Sequence, residues 1–362
     1  MDVDKILENA KQILEKNWNG RFTIPSPTLY PHQWSWDSGF VAIGNSYYYV
    51  ERSMIEIESL FNAQWQNGMV PHIVFNEKEK TYFPSADFYE VTKSDNAPTT
   101  IGTSGMTQPP VHAISCYYIY ENSKYKARAR EFLSRIYPKL KSFHRFLMTD
   151  RDPEMSGLVT ILHPWESGLD DSPTWDEPLS RINVKEGDLP KFKRLDVIAV
   201  GGASETIPSN WEYNRFIYLI ELMKKYNYDQ KKMYENFPFK IKDVVFSSIL
   251  YVANKYMIKI ANVIEEEDTA EIWQWISRTK QNFYKYFFPS DQNKKRLGVN
   301  EQSLFYDYDL VEGKHIKKKT VSSHPNLHWI NTRRSGSDFK MGNPCPFLWR
   351  GELLPCTHYS KY

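Results

Sequence analysis

The chain has 362 residues with 46 basic and 44 acidic side chains, a net charge of +2, and 41% hydrophobic residues. That length holds one large domain or two average ones, and the balanced charge excludes the basic footprint of a nucleic-acid or membrane-surface binder. Cys116, Cys345 and Cys356 are too far apart for metal spacing or a disulfide framework, and no cofactor motif stands out. Met1 opens a charged amphipathic segment, not an apolar signal region, and no run reaches membrane-spanning length, so a soluble cytoplasmic protein is expected. Aromatic content is high at 15%, with 11 Trp and 24 Tyr. Many of these residues stand beside Pro, Asn, Asp and Gln, as in a site that stacks sugars on ring faces, although Tyr-rich helices also pack a bulky core.

Val3, Ile6, Leu7, Ala10, Ile13 and Leu14 recur at three- and four-residue steps and predict an amphipathic first helix. Asn19-Gly20 and Pro25-Ser-Pro27 then force a loop. It delivers Tyr30-Pro-His-Gln-Trp34-Ser-Trp36-Asp37-Ser-Gly-Phe40, a dense polar and aromatic cluster ahead of a helix over residues 40–50. Asp37 or Ser38 can cap that helix, and Trp34 and Trp36 can serve either the core or a ligand. A third helix spans residues 53–66 and stops at Asn67-Gly68, followed by Gly68-Met-Val-Pro71-His72 and an unpatterned stretch over residues 75–100. Such an insertion shapes a site or covers it. Thr103-Ser-Gly-Met-Thr-Gln108-Pro-Pro110 opens the next helix, where prolines cost little because their missing N–H would be unpaired. Gln108 is a cap there or a ligand.

Residues 127–148 predict a long helix with Phe132, Leu133, Ile136, Tyr137, Leu140 and Phe143 on its buried stripe. Next comes His163-Pro-Trp165-Glu166-Ser-Gly-Leu-Asp170-Asp171-Ser-Pro-Thr-Trp175. Proline fixes φ and glycine permits turns that a side chain forbids, so this segment is a shaped loop. Aromatic planes beside carboxylates suit a carbohydrate site, where carboxyl groups accept hydroxyls and move protons at the anomeric oxygen; Asp-Ser-Pro is also ordinary turn chemistry. Further helices start at Asn210 and cover residues 243–264 and 269–287, the last two separated by an acidic run, 265–268, read as a solvated turn that caps the following helix. Residues 305–309 and 311–321 read as a strand pair around Glu312-Gly313. The count is eight long helices, with no solenoid repeat.

Glu166-Ser-Gly-Leu-Asp170-Asp-Ser-Pro-Thr-Trp175 resembles the general-acid loop of glycoside hydrolase family 63 and its trehalase relatives, and within the family the mannosylglycerate and glucosylglycerate hydrolases. The Tyr30–Ser38 cluster, the Gly-X-X-Pro-His turn and Thr-Gln-Pro-Pro are similar to stretches of the same enzymes. The resemblance implies an all-α (α/α)6 toroid with a minor β hairpin, acting on a small saccharide substrate by inverting hydrolysis of an α-glycosidic bond. It places the general acid at Asp170 and the substrate-binding positions at Tyr30, Trp34, Trp36, Asp37 and Gln108 and, on the acid loop itself, at Trp165, Glu166 and Trp175. No metal or other cofactor is implied.

The resemblance runs from about residue 30 to 321, the expected toroid domain being 1–321, and residues 322–362 read as a divergent tail. Leu348-Trp-Arg-Gly351-Glu352 alone is similar to a late turn of the family. Family members go on to complete a ring of twelve helices and supply a glutamate that activates water. After residue 320 this chain offers only Asp338 and Glu352, neither in a context recognised as the base, so an incomplete, truncated or frame-shifted ring is the expectation. An open ring would expose apolar helix faces and invite a homo-oligomer. The arginine that holds a glycerate carboxylate in these hydrolases has no clear counterpart near Ile207-Pro208, which leaves a plain α-glucoside or α-mannoside as open as a glycosylglycerate. The competing readings are a non-catalytic sugar-binding remnant without the base and a purely structural helical scaffold.

Overall fold

The computed structural model describes residues 3–185, 187–199, 201, 208–289 and 305–316. The expected tail, with Asp338 and Glu352, lies outside them, as do residues 317–321 of the second predicted strand. Among the described residues are eight helices of eleven residues or more, matching the number read from the apolar period.

Helix α1 (Val3–Asn17) is amphipathic, yet its apolar positions Val3, Ile6, Leu7 and Ile13 stay exposed. Strand β1 (Gln33–Trp34) runs directly into α2 (Ser35–Ser46), five residues earlier than expected, so Trp36 and Asp37 lie in the first helical turn and not in the loop before it. Neither Asp37 nor Ser38 caps the helix; Trp34 occupies the cap position without a side-chain bond. Helix α3 (Val50–Phe61) buries Met54, Ile57, Leu60 and Phe61. Strand β2 (Ile73–Val74) pairs antiparallel with β1, Gln33 opposite Val74 and Trp34 opposite Ile73. The predicted insertion contains a short helix, α4 (Ala86–Tyr89), capped by Ser85.

Helix α5 (His112–Asn122) starts four residues after Gln108, which therefore does not cap it. In α6 (Lys126–Thr149) the predicted stripe is buried as expected, and its outer face carries ion pairs from Arg128 to Glu51, Arg135 to Glu58 and Arg145 to Glu271. Strand β3 (Thr160–Ile161) leads into the central loop, which continues through α7 (Asp176–Ser180) and α8 (Leu195–Ala199). Helix α9 (Asn210–Lys225) opens with a capping box in which Ser209 and Glu212 satisfy each other's backbone N–H. After α10 (Gln230–Asn236) and β4 (Ile241–Lys242), Asp243 caps α11 (Val244–Ile264) by accepting the Phe246 N–H. The acidic run is a turn entered through Glu265 at φ 61°, but α12 (Ala270–Phe287) begins without a side-chain cap, contrary to expectation.

Strands β5 (Tyr308–Asp309) and β6 (Lys314–His315) form the predicted hairpin and join β3 and β4 in one antiparallel sheet of order β3-β4-β5-β6. Consecutive helices pack as pairs, α2 on α3, α5 on α6 and α11 on α12, while α5 also packs against α2 and α11. Contrary to the expectation that no run is long enough to cross a membrane, α11 meets the length and apolarity required; 78% of that stretch is buried inside the protein, where it serves as the core helix between α5, α6 and α12.

Candidate active site

The β1–α2 corner presents the first half of the site. Pairing with β2 fixes Trp34 in place, and the Ser35 N–H donates to the His72 carbonyl at 2.9 Å. Trp34 is buried, with Tyr30 edge-on at 5.1 Å, His32 stacked at 5.8 Å and Tyr82 edge-on at 5.6 Å. Trp36 and Asp37 are partly accessible. The Trp36 N–H donates to Gln108 Oε1 at 3.3 Å, so Gln108 braces the corner from the turn before α5.

The acid loop forms the second half. His163 Nε2 donates to the Phe216 carbonyl, which leaves Nδ1 to accept the Trp165 N–H, both at 3.0 Å. Residues Pro164–Ser167 make a 3₁₀ turn that ends at Gly168 in the left-handed region, φ 71°. A Cβ at Gly168 would stand 2.5 Å from the Trp36 indole; glycine is what lets the loop close on that ring. Beyond it, Trp175 Nε1 donates to the Leu169 carbonyl at 2.8 Å, and Ser172 caps the Pro173–Trp175 turn. The ordinary turn-capping role falls to Ser172 and leaves Asp170 free of it.

Two expected ligands have another role. Glu166 is fully buried in a two-pronged ion pair with Arg151, both contacts 2.7 Å, and also accepts the Thr107 and Leu162 N–H groups. Its acceptor sites are taken, so Glu166 ties the acid loop to the Gln108 turn and cannot bind substrate hydroxyls. Trp175 is buried against Phe239 and braces the loop from within. Trp165 is buried as well, at 9% exposure, stacked beside His72 and against Phe216 and Tyr213.

Asp170 is half-buried, and burial pushes its carboxyl up to about 8, with the charges of Asp171 and Asp37 adding to the effect. Burial raises Asp37 to about 6 and Asp171, at the more open edge, to about 6. The Tyr30 hydroxyl is held above its ordinary value by burial and then by Asp170, Asp171 and Asp37. These mutual influences bring Tyr30, Asp37, Asp170 and Asp171 into one electrostatic neighbourhood. Tyr82 and Asp196 belong to it as well, and so does Arg194, whose charge acts on Asp171. Arg194 lies 3.9 Å over the Tyr213 ring and is clamped on Asp196, Nε at 2.9 Å and a terminal nitrogen at 2.6 Å.

Tyr82, Arg194, Asp196 and Tyr213 carried no distinguishing sequence pattern; Tyr82 lies in the insertion that was expected to shape the site. Arg151 escaped notice because its partner is fifteen residues away and nothing in the 150–157 turn marks a buried cation. Among the described residues no group of three or more His, Cys, Asp or Glu side chains could hold a metal ion.

Packed helix pairs whose loops set indole rings beside a cluster of carboxyl groups raised by burial are the arrangement of a glycoside hydrolase of the (α/α)6 toroid class. Residues 30–329 match the family model of the mannosylglycerate hydrolase MGH1-like glycoside hydrolase domain, and the chain belongs to that family. It is 36% identical to a mannosylglycerate hydrolase of Rubrobacter radiotolerans over 99% of this chain and 79% of the relative. It is 39% identical to a glucosylglycerate hydrolase of Mycolicibacterium hassiacum over 89% and 71% of the two chains. The crystal structure of the family 63 mannosylglycerate hydrolase from Thermus thermophilus in complex with Tris and D-glycerate superposes with a TM-score of 0.74 at 39% identity, covering 85% of this chain and 68% of that one.

Proposed function

We propose that the chain hydrolyses the α-glycosidic bond of a mannosylated or glucosylated small hydroxy acid, glycerate above all, with inversion at the anomeric carbon. Protonated Asp170 donates its proton to the glycosidic oxygen as the C1–O bond breaks, and water attacks from the opposite face, losing its proton to a second carboxylate. Trp36 and Trp165 take the apolar faces of the sugar, Trp34 and Tyr30 wall the pocket, and Asp37 and Gln108 accept or donate hydroxyl hydrogen bonds. The observation that carries this reading is the loop's closure on Trp36 at Gly168, which sets Asp170 beside an indole platform, free of capping duty and with its carboxyl pushed up by burial.

α-Mannosylglycerate, α-glucosylglycerate and the corresponding methyl α-glycosides are the substrates to compare, with the product anomer followed by NMR. A β-anomer appearing first supports inversion, and an α-anomer overturns it. Asp170→Asn is expected to lower turnover by at least ~10²-fold with the fold intact. Loss of activity in Asp171→Asn with Asp170→Asn unaffected would move the acid by one residue. Sugar binding without turnover in the parent chain would favour a non-catalytic sugar-binding protein.

A further inference from the structure

A carboxylate lies buried behind the corner that presents Trp36 and Asp37, on a helix that contributes no side chain to the site. Glu56 of α3 is fully buried, and every hydrogen-bond partner recorded for it is an uncharged donor. Its Oε1 accepts the Ser38 hydroxyl at 2.6 Å and the Gln33 amide at 3.2 Å, and its Oε2 accepts the Thr23 N–H at 2.7 Å. The Gln33 amide also reaches the Glu56 carbonyl at 2.9 Å. Gln33 Oε1 in turn accepts the Ser59 hydroxyl at 3.1 Å, and Ser59 Oγ accepts the Arg21 Nε–H at 3.0 Å. A buried carboxylate without an ion-pair partner is costly, and an apolar side chain of similar volume would fill the same space without that cost. What a carboxylate adds is convergence: it gathers donors from the 19–31 segment, from β1 and from α2. Gln33 immediately precedes Trp34, and Ser38 immediately follows Asp37.

We propose that Glu56 is a positioning residue for the candidate site, its carboxylate drawing Gln33 and Ser38 together from behind and so fixing the corner on which Trp34, Trp36 and Asp37 stand. The inference rests on the functional reading above only in calling that corner a sugar site. Burial pushes the Glu56 carboxyl up to about 7, opposed by the hydrogen bonds from Ser38, Thr23 and Gln33. Arg21, His32, Asp37 and His112 stand on the elements around it, with Glu51, Arg52 and Glu58 on its own helix. The largest influences on the carboxyl are burial and its own hydrogen bonds. Near neutral pH the carboxyl therefore passes between an ionised form that accepts all three donors and a protonated form that must donate once itself. The corner follows that change.

The test uses the full chain and two variants. Glu56→Gln keeps the shape but sets an amide N–H against either the Thr23 N–H or the Gln33 amide; Ser38→Ala removes one donor and keeps the carboxylate. KM and kcat on α-mannosylglycerate and affinity for methyl α-mannoside are read between pH 6 and 8. Fluorine NMR of 5-fluorotryptophan-labelled protein follows Trp36, its resonance assigned with Trp36→Phe. Both variants are expected to raise KM and the dissociation constant at least ~5-fold with kcat within ~2-fold, and Glu56→Gln to abolish a pH-dependent shift of the Trp36 resonance seen in the parent. Unchanged KM, affinity and Trp36 resonance in folded variants would overturn the proposal, whatever their melting temperature does. If Glu56→Gln does not fold, the same readouts on Ser38→Ala decide. A parent chain that neither binds nor turns over the sugars removes the functional reading, while the fluorine resonance, which needs no ligand, still decides the role of Glu56.

Discussion

The chemistry of single residues turns on Asp170 and Gly168. With its folded value raised to about 8 against an ordinary 3.8, Asp170 is neutral in the folded protein where the unfolded chain is already ionised. Keeping it therefore costs stability that grows as pH rises from about 4 and is fully developed above about 8. Asp170→Asn should stabilise the fold at pH 8.5, by on the order of 2 kcal/mol after allowance for its partial solvent contact, and leave it unchanged at pH 4. Urea denaturation at the two pH values checks this, and destabilisation at pH 8.5 would contradict it. If Asp170 is the general acid proposed above, the rate of the parent enzyme falls as pH rises through about 8, because that proton is lost. Gly168→Ala meets both a left-handed backbone and the Trp36 ring, so it should cost roughly 1–3 kcal/mol and weaken sugar binding, read by calorimetry on the folded variant. The two loops that bring Asp37 and Asp170 into one neighbourhood were legible as dense polar and aromatic clusters in the sequence, and the family resemblance singled out the residues within them. The role of Glu166 was not: a carboxylate in the same motif reads alike whether it faces a sugar or a buried arginine, and Arg151 lies in a different turn.

Among the elements, the long helices were readable from their apolar period, whereas the strands, the β5–β6 hairpin apart, were not. Each strand is two residues long, too short for alternation to emerge, yet β1 and β3 decide where the site's two halves begin. The start of α2 was misjudged for a related reason: Trp34 and Ser35 look like loop residues until β2 pairs with the strand before them. The acid loop is held chiefly by Arg151, which joins the turn after α6 to Glu166 and donates from Nε to Gln230 Oε1 at 2.9 Å. Both charged groups are fully enclosed, so removing one strands the other. Arg151→Ala is expected to destabilise the protein by about 3–5 kcal/mol. Glu166→Gln should cost less and, in the folded fraction, lower kcat, because the Thr107 and Leu162 N–H groups keep an acceptor on one side only. Equilibrium unfolding gives the first number, and a loss below ~1 kcal/mol for Arg151→Ala would mean that the loop does not depend on the clamp.

At the scale of the whole molecule the apolar period gave helices but not their arrangement as packed pairs, since each helix shows only which face is buried and not which neighbour covers it. The same burial sets a global pH response. Burial lowers His32, His112 and His144 to about 4 and His72 and His163 to about 3, against 6.5 when exposed. Each of these stays neutral in the fold while the unfolded chain binds a proton, so stability is lost as pH falls from about 6.5 towards those values. Glu56, Asp37, Asp170 and Asp171 act in the opposite sense: raised to between about 6 and about 8, they make stability fall as pH rises from about 4. Between about pH 4.5 and 6 the five imidazoles oppose these four carboxyls and Asp150, which burial also raises, so the two sets largely offset. Above 6.5 the imidazoles drop out while Glu56 continues to about 7 and Asp170 to about 8. Glu79, Glu90, Glu154 and Asp268 are held low, have finished titrating by then and add nothing. Stability should therefore decline from about pH 6.5 to about pH 8, an alkaline limb made by the candidate acid and by the carboxylate behind the β1–α2 corner. Urea midpoints at pH 5, 6.3 and 8.5 would show it, and the combined Asp170→Asn and Glu56→Gln variant should flatten the fall between the last two. A parent protein as stable at pH 8.5 as at 6.3 would mean that neither carboxyl is neutral in the fold, and the general-acid assignment would lose its physical basis.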